Sequence, residues 1–316
     1  MTSLTHGSPA FPTEILESIL CQSSHSTLLA ASAVNGTFHH ITRKYLLNFV
    51  SLKRTVYDLD TISRARTFLS LLDDIPDISN CVRRIHIDCF GKSLLELPDD
   101  LVPNTKPLIS ILSRLPRLNS ISLRGEDSTM LSNSWLDWKS VCNELRRSFA
   151  HTFRSPLVYE IKISHIYNLS FSIFVGCHSL KHLSFNMVSS RRTIPSQHGL
   201  QFRPKLKSLI LRSSFMNEHD EENLKWLFSP QGLLDISQLA KFIFSGEDHI
   251  QLAHILSLCA ESIKSLELRM NPAGRFASVS SLYIALFTPR SFDSGRDIQY
   301  HHLEFFTIAF SLSRRP

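Results

Sequence analysis

One spacing recurs along this chain and limits what it can fold into: an apolar residue, two others, an apolar, one other, an apolar. It appears eight times, first at Val82-Ile85-Ile87, Leu118-Ile121-Leu123, Val158-Ile161-Ile163 and Leu180-Leu183-Phe185. It continues at Leu206-Leu209-Leu211, Leu239-Phe242-Phe244, Ile263-Leu266-Leu268 and Leu303-Phe306-Ile308. The last two members of each set are two residues apart, so they point to one face of a short strand. Between the sets, Thr61 to Leu72, Lys106 to Leu115, Trp135 to Phe149, Glu221 to Phe228 and Gln251 to Cys259 repeat apolar residues every three or four positions, the helical period. Strand, turn and helix in repetition predict an α/β fold, with parallel strands on one side and helices on the other. An ordinary α/β sheet with helical crossovers has the same local pattern; the recurrence over residues 81–316 favours an irregular solenoid.

With lead-ins such as Leu115-Pro116-Arg117-Leu118 and Arg203-Pro204-Lys205-Leu206, this pattern resembles the leucine-rich repeat. The resemblance is degenerate: first positions lie 22 to 40 residues apart, where regular repeats keep about 20 to 29. The asparagine expected three residues after the last leucine is found at Asn271, while Glu126, Val188, Ser214 and Glu247 fill that place elsewhere. Terminal repeats need a polar cap, yet Leu303 to Phe310 is apolar on both faces and only Ser311 to Pro316 follows. That edge is expected to be covered by a partner, or the chain to be a truncated member of its family.

Period two also predicts which residues line the other face of the sheet: Arg84, His86, Asp88; Ser120, Ser122, Arg124; Glu160, Lys162, Ser164; His182, Ser184, Asn186. The strip continues through Ser208, Ile210, Arg212; Lys241, Ile243, Ser245; and Ser265, Glu267, Arg269. It holds six Arg or Lys and three acidic residues. Arg84, His86, Arg124, Lys162, His182, Arg212, Lys241 and Arg269 are the candidate binding residues, with Arg124, Arg212 and Arg269 in one column. Arginine presents a planar fork suited to carboxylate or phosphate, so the strip is expected to meet an acidic or phosphorylated segment. A solvated strand face with no single ligand is the plainer alternative.

The N-terminus follows other rules. Pro12 suits a first helical turn because it has no amide to lose, and Glu14 and Glu17 favour the positive end of a helix. Ile15, Leu16, Ile19 and Leu20 form an apolar stripe, followed by Leu28-Leu29, Val34, Phe38, Ile41 and Tyr45-Leu46. About forty residues are too few to bury all of these among themselves. Another surface is expected to cover the stripe.

Phe11-Pro12-Thr13-Glu14-Ile15-Leu16-Glu17-Ser18-Ile19-Leu20, with Leu28-Leu29, Val34 and the basic, aromatic segment Ile41 to Leu52, resembles the F-box as it occurs in fungal proteins. Phe11 stands where the family has leucine. Asn35-Gly36 is a turn dipeptide where the family continues a helix, and glycine costs roughly 1 kcal/mol inside one, so a kink is expected there. On this resemblance residues 9–52 form an F-box domain, 53–80 a connecting helical segment, and 81–316 the repeat domain.

The resemblance implies a substrate-recognition subunit of a Skp-cullin-F-box ubiquitin ligase. Pro12, Ile15, Leu16, Ile19, Leu20, Leu28, Leu29 and Val34 would contact a Skp-type adaptor or pack the helices together, and Leu16→Asp is expected to abolish adaptor binding. Through the adaptor the chain would join a cullin, while its repeats hold an unknown substrate protein. The alternative is a repeat scaffold outside any ligase, with a vestigial F-box.

Enzymatic motifs are not found: no phosphate-binding glycine loop, no Gly-x-Ser-x-Gly, no His-Glu-x-x-His. Cys21/His25, His39-His40 and His301-His302 are too sparse for a metal site, and Glu218 to Glu222 reads as a helix start with Asp220 as its cap. Neither catalysis nor a cofactor is expected. Six scattered cysteines without a Cys-x-x-Cys pair point to reduced thiols, hence the cytoplasm or nucleus. No apolar run is long enough for a membrane helix. The net charge of +6 is dispersed in isolated basic pairs, which makes nucleic acid an improbable partner.

Overall fold

The computed structural model describes residues 12–53, 61–88, 105–125, 135–190, 203–212, 218–246, 249–270 and 305–310. Among these, three helices open the chain: α1 (Thr13–Leu20), α2 (His25–Ser32) and α3 (Gly36–Leu46). The rest is a parallel sheet with helices. Its strands are β1 (Phe49–Leu52), β2 (Arg84–Asp88), β3 (Ser120–Arg124), β4 (Leu136–Asp137), β5 (Glu160–Leu169), β6 (His182–Ser190), β7 (Ser208–Arg212), β8 (Lys241–Gly246), β9 (Ser265–Met270) and β10 (Phe305–Phe310). Its helices are α4 (Thr61–Asp74), α5 (Lys106–Ser113), α6 (Asn143–Phe153), α7 (Glu218–Phe228) and α8 (His249–Cys259).

The strand order follows the chain, β1-β2-β3-β5-β6-β7-β8-β9-β10, and every neighbouring pair is parallel. The short β4 pairs with β5 beyond the end of β3. Gly125 sits at that transfer: a Cβ there would come within 2.5 Å of both the His165 carbonyl oxygen and Leu136 Cβ.

Register explains why the apolar pattern recurs. Ile85, Ile121, Ile161, Leu183, Leu209, Phe242 and Leu266 form one row across the sheet, and Ile87, Leu123, Ile163, Phe185, Leu211, Phe244 and Leu268 form the next. All are buried. Onto these rows the helices set their own apolar stripes: Ala65, Phe68 and Leu72 of α4, Leu108 and Ile111 of α5, Leu145, Phe149 and Phe153 of α6, Leu224 and Leu227 of α7, Leu252 and Ile255 of α8. One continuous core results, on one face of the sheet.

β5 runs ten residues, to Leu169, and leaves little room for a helix before Leu180. A 3-10 turn, Phe171–Phe174, fills the place instead. Its rings extend an aromatic series: Phe153 and Phe174 stack at 6.3 Å, Phe171 and Phe185 at 5.8 Å.

Three expectations change. The helix expected over Trp135 to Phe149 is β4 followed by α6, because Trp138 and Val141 enter the core from a turn. α7 begins at Glu218, which places Asp220 in its first turn rather than at the cap. The boundaries at 52 and 80 cut through packed structure, since Phe49–Leu52 is the sheet's first strand and α4 belongs to the sheet's core. Asn271, His301-His302 and the last six residues lie outside the described residues.

Candidate interaction surfaces

The three N-terminal helices are built by local capping. The chain turns into α1 at Pro12, whose carbonyl accepts from the Ile15 and Leu16 amides at 3.1 and 3.3 Å. Ser24 Oγ accepts from the Thr27 amide at 3.2 Å and starts α2. Asn35 Oδ1 accepts from the Phe38 amide at 3.0 Å and starts α3. Asn35-Gly36 therefore does not kink a helix; it separates two, and asparagine is among the best N-caps. Across the unit, Lys44 Nζ donates to Glu17 Oε1 at 2.7 Å, tying α3 to α1 and raising the Lys44 pKa.

This unit has a core of its own, formed by Leu20, Leu28 and Ile41, with Leu16, Phe38, Tyr45 and Leu46 partly buried against it. The eight residues expected to meet an adaptor thus divide by burial. Leu20 and Leu28 pack inward, and Leu16 is shared between core and surface. Pro12 is exposed, as are Ile15 (47%), Ile19 (59%), Leu29 (51%) and Val34 (66%). Ile15 and Ile19 lie one turn apart on α1, so they share a face. Because Leu16 also touches the core, Ile19 is the cleaner position at which to test docking.

On the sheet, residues with side chains away from the helices form three columns. Arg84, Ser120, Glu160, His182, Ser208, Lys241 and Ser265 make the first; His86, Ser122, Lys162, Ser184, Ile210, Ile243 and Glu267 the second. The third runs Asp88, Arg124, Ser164, Asn186, Arg212, Ser245, Arg269. Arg124, Arg212 and Arg269 do share it, their backbones roughly 14 and 10 Å apart at about 4.8 Å per strand.

Most charges in these columns are already engaged. Lys162 pairs with Glu160 at 2.9 Å, and Arg269 with Glu267 at 2.6 Å. Ser120 Oγ donates to Glu160 Oε2 at 2.6 Å. Partial burial works to raise the Glu160 pKa, but the Ser120 hydroxyl and Lys162 outweigh it and hold the carboxyl below its usual value. His86 reaches Ser122 Oγ through Nδ1 and Asp88 Oδ1 through Nε2, both at 2.8 Å. Arg84 lies over the Phe49 ring, and His182 meets Tyr159 edge-on at 5.9 Å. Burial, with help from the neighbouring lysines, lowers the His182 pKa. Arg124 is half-buried near His165, whose pKa is lowered by burial and then by that guanidinium. Arg212 and Lys241 are exposed, and neither forms an ion pair with a described carboxylate.

A second surface was missed by reading strands alone. The inter-strand hydrogen bonds extend one residue before the strands: Asn119 N to Arg83 O (2.7 Å), Tyr159 N to Asn119 O (3.0 Å), Lys181 N to Tyr159 O (2.8 Å). Here a cleft of about 480 Å³ opens, lined in part by Arg83, Arg117, Pro156, Leu157, Tyr159 and Lys181. The signal for it was the residue preceding each strand's first outward position, which period two does not single out.

Among the described residues no cluster of three His, Cys, Asp or Glu is placed to hold a metal, and no helix is long and apolar enough to cross a membrane. Cys177 and Cys259 are buried, and burial pushes both thiols up to about 12. Comparison with protein-family models and with curated proteins finds no match to this chain.

Proposed function

We propose that this chain is a substrate receptor of a Skp-cullin-F-box ubiquitin ligase, in which α1–α3 dock on a Skp-type adaptor and the sheet captures a target protein. One observation carries this reading: a small helical unit with only three fully buried apolar residues exposes Ile15, Ile19, Leu29 and Val34. Full burial of an aliphatic side chain of this size contributes about 1.5–3 kcal/mol, and a few such anchors dominate a typical interface. The intact Asn35 cap supports a functional unit rather than a vestige. Sequential parallel strand order, with helices over one face, supports reading residues 49–310 as an irregular leucine-rich-repeat solenoid.

The mechanism is proximity. The adaptor links the receptor to a cullin, and the receptor raises the effective concentration of the target's lysines near the conjugating enzyme. No catalysis or cofactor is assigned to this chain. Free thiols among the described residues, with Cys177 and Cys259 buried, suit a cytoplasmic or nuclear setting.

Co-expression with a tagged Skp-type adaptor tests the proposal. Stoichiometric co-purification, lost in Ile19→Asp with the circular dichroism spectrum unchanged, is the expected result. A folded chain that ignores the adaptor would leave a repeat scaffold outside any ligase as the better reading.

A further inference from the structure

The cleft before the strands differs from the outward face of the sheet in one decisive respect. On that face Lys162 and Arg269 are neutralised by Glu160 and Glu267. In the cleft, Arg83, Arg117 and Lys181 line one cavity without a carboxylate among the lining residues, and none of the three forms an ion pair with a described acid. Arg83 donates to a neutral acceptor, the Arg117 carbonyl oxygen, at 3.4 Å. Like charges gathered this way repel one another, and an anion relieves that repulsion.

The floor is apolar. Leu157 is 48% exposed and Tyr159 39%, in a sheet whose other large apolar side chains lie mostly in the core. Pro156 adjoins them. Backbone bonds fix the arrangement: Arg83, Asn119, Tyr159 and Lys181 continue the sheet's register, so Arg83 and Lys181 are three steps, or about 14 Å, apart. An extended peptide rises about 3.3 Å per residue, so four or five residues span that distance.

We propose that this cleft binds an acidic peptide segment of a partner protein, its carboxylates paired with Arg83, Arg117 and Lys181 and one apolar side chain resting on Leu157 and Tyr159. Arginine forks suit bidentate carboxylate pairing. A peptide fits better than single-stranded nucleic acid, which uses successive aromatic platforms: the cleft's rings are Tyr159 and the imidazole of His178, set beside aliphatic Leu157 and Pro156 rather than in a run of aromatic platforms. The site goes beyond the receptor reading and stands whether or not α1–α3 dock an adaptor.

The test is fluorescence anisotropy of the full chain with a labelled Glu-Glu-Leu-Glu-Glu peptide. Binding is expected to weaken at least tenfold in Arg117→Glu/Lys181→Glu and several-fold in Leu157→Ser. It is expected to stay within twofold in Lys106→Glu/Arg147→Glu, which reverses charge at exposed positions on α5 and α6. All these residues are exposed, and circular dichroism verifies that each variant is folded. Four results would overturn the assignment: no binding at millimolar peptide, equal binding of Lys-Lys-Leu-Lys-Lys, loss in the helix-side variant instead of the cleft variant, or tighter binding of a single-stranded RNA of matched charge through the same residues.

Discussion

The two halves of this molecule use apolar residues in opposite ways. The sheet aligns them in rows, so a buried side chain has neighbours on the adjacent strands, and helices or the 3-10 turn pack against the rows. Its exposed face is mostly polar, and its charges are largely paired internally. The N-terminal helices bury three apolar residues completely and expose four large ones. A unit built that way has little stability to spare and much surface to offer. The contrast is between a part whose large apolar side chains lie mostly in its own core and one that leaves four of them exposed.

The strongest way to sharpen this contrast is through the cores. Phe149→Ala empties a fully buried site that contacts Trp138 and Phe153, and should cost about 3–5 kcal/mol in urea unfolding. Ile41→Ala should fall near the lower end of the roughly 2–5 kcal/mol typical of such changes, because fewer groups surround it. Its effect should be local: faster hydrogen exchange over residues 13–46, with the strands unchanged. If Ile41→Ala loosens both halves equally, the two are one cooperative unit and the contrast fails.

Asn35→Ala removes the α3 cap and should cost about 1 kcal/mol, read as faster exchange of the amides opening α3, whereas Asn35→Gly should cost only a few tenths. Smaller still is an acid effect confined to the sheet half. His165, His182 and His254 have pKa values lowered chiefly by burial, so the unfolded chain binds more protons, and stability declines as pH falls through about 6.5. Glu160 acts further down. Its lowered pKa gives stability present above about pH 4.3 and lost as pH drops through the folded value. Glu160→Gln should therefore differ from the parent at pH 6 and converge with it in strong acid, which a thermal melt at each pH would measure.

Much of the sheet was legible beforehand because period two is a local signal. Each of the eight strands marked by the apolar pattern is present, from Ile85 to Ile308. β1 was missed because Phe49–Leu52 has four residues and suggested the tail of a helical motif, and β4 because two residues carry no period. The columns of Arg84, His86 and their neighbours followed from the same alternation, but the pairing within them did not. Lys162 with Glu160 and Arg269 with Glu267 are two residues apart on one strand, so those pairs could have been anticipated; Ser120 with Glu160 required the register. The cleft was invisible because it gathers lead-in residues from four strands that only the ladder aligns. In the helical unit, sequence named the apolar stripe without separating Leu20 and Leu28, which pack, from Ile15 and Ile19, which do not.

Hydrogen exchange of the full chain with and without a purified Skp-type adaptor tests the central claim most directly. Protection concentrated in residues 13–34, around Ile15, Ile19, Leu29 and Val34, and absent in Ile19→Asp, is the predicted outcome. Protection confined to the sheet, or none with adaptor in excess, would contradict it.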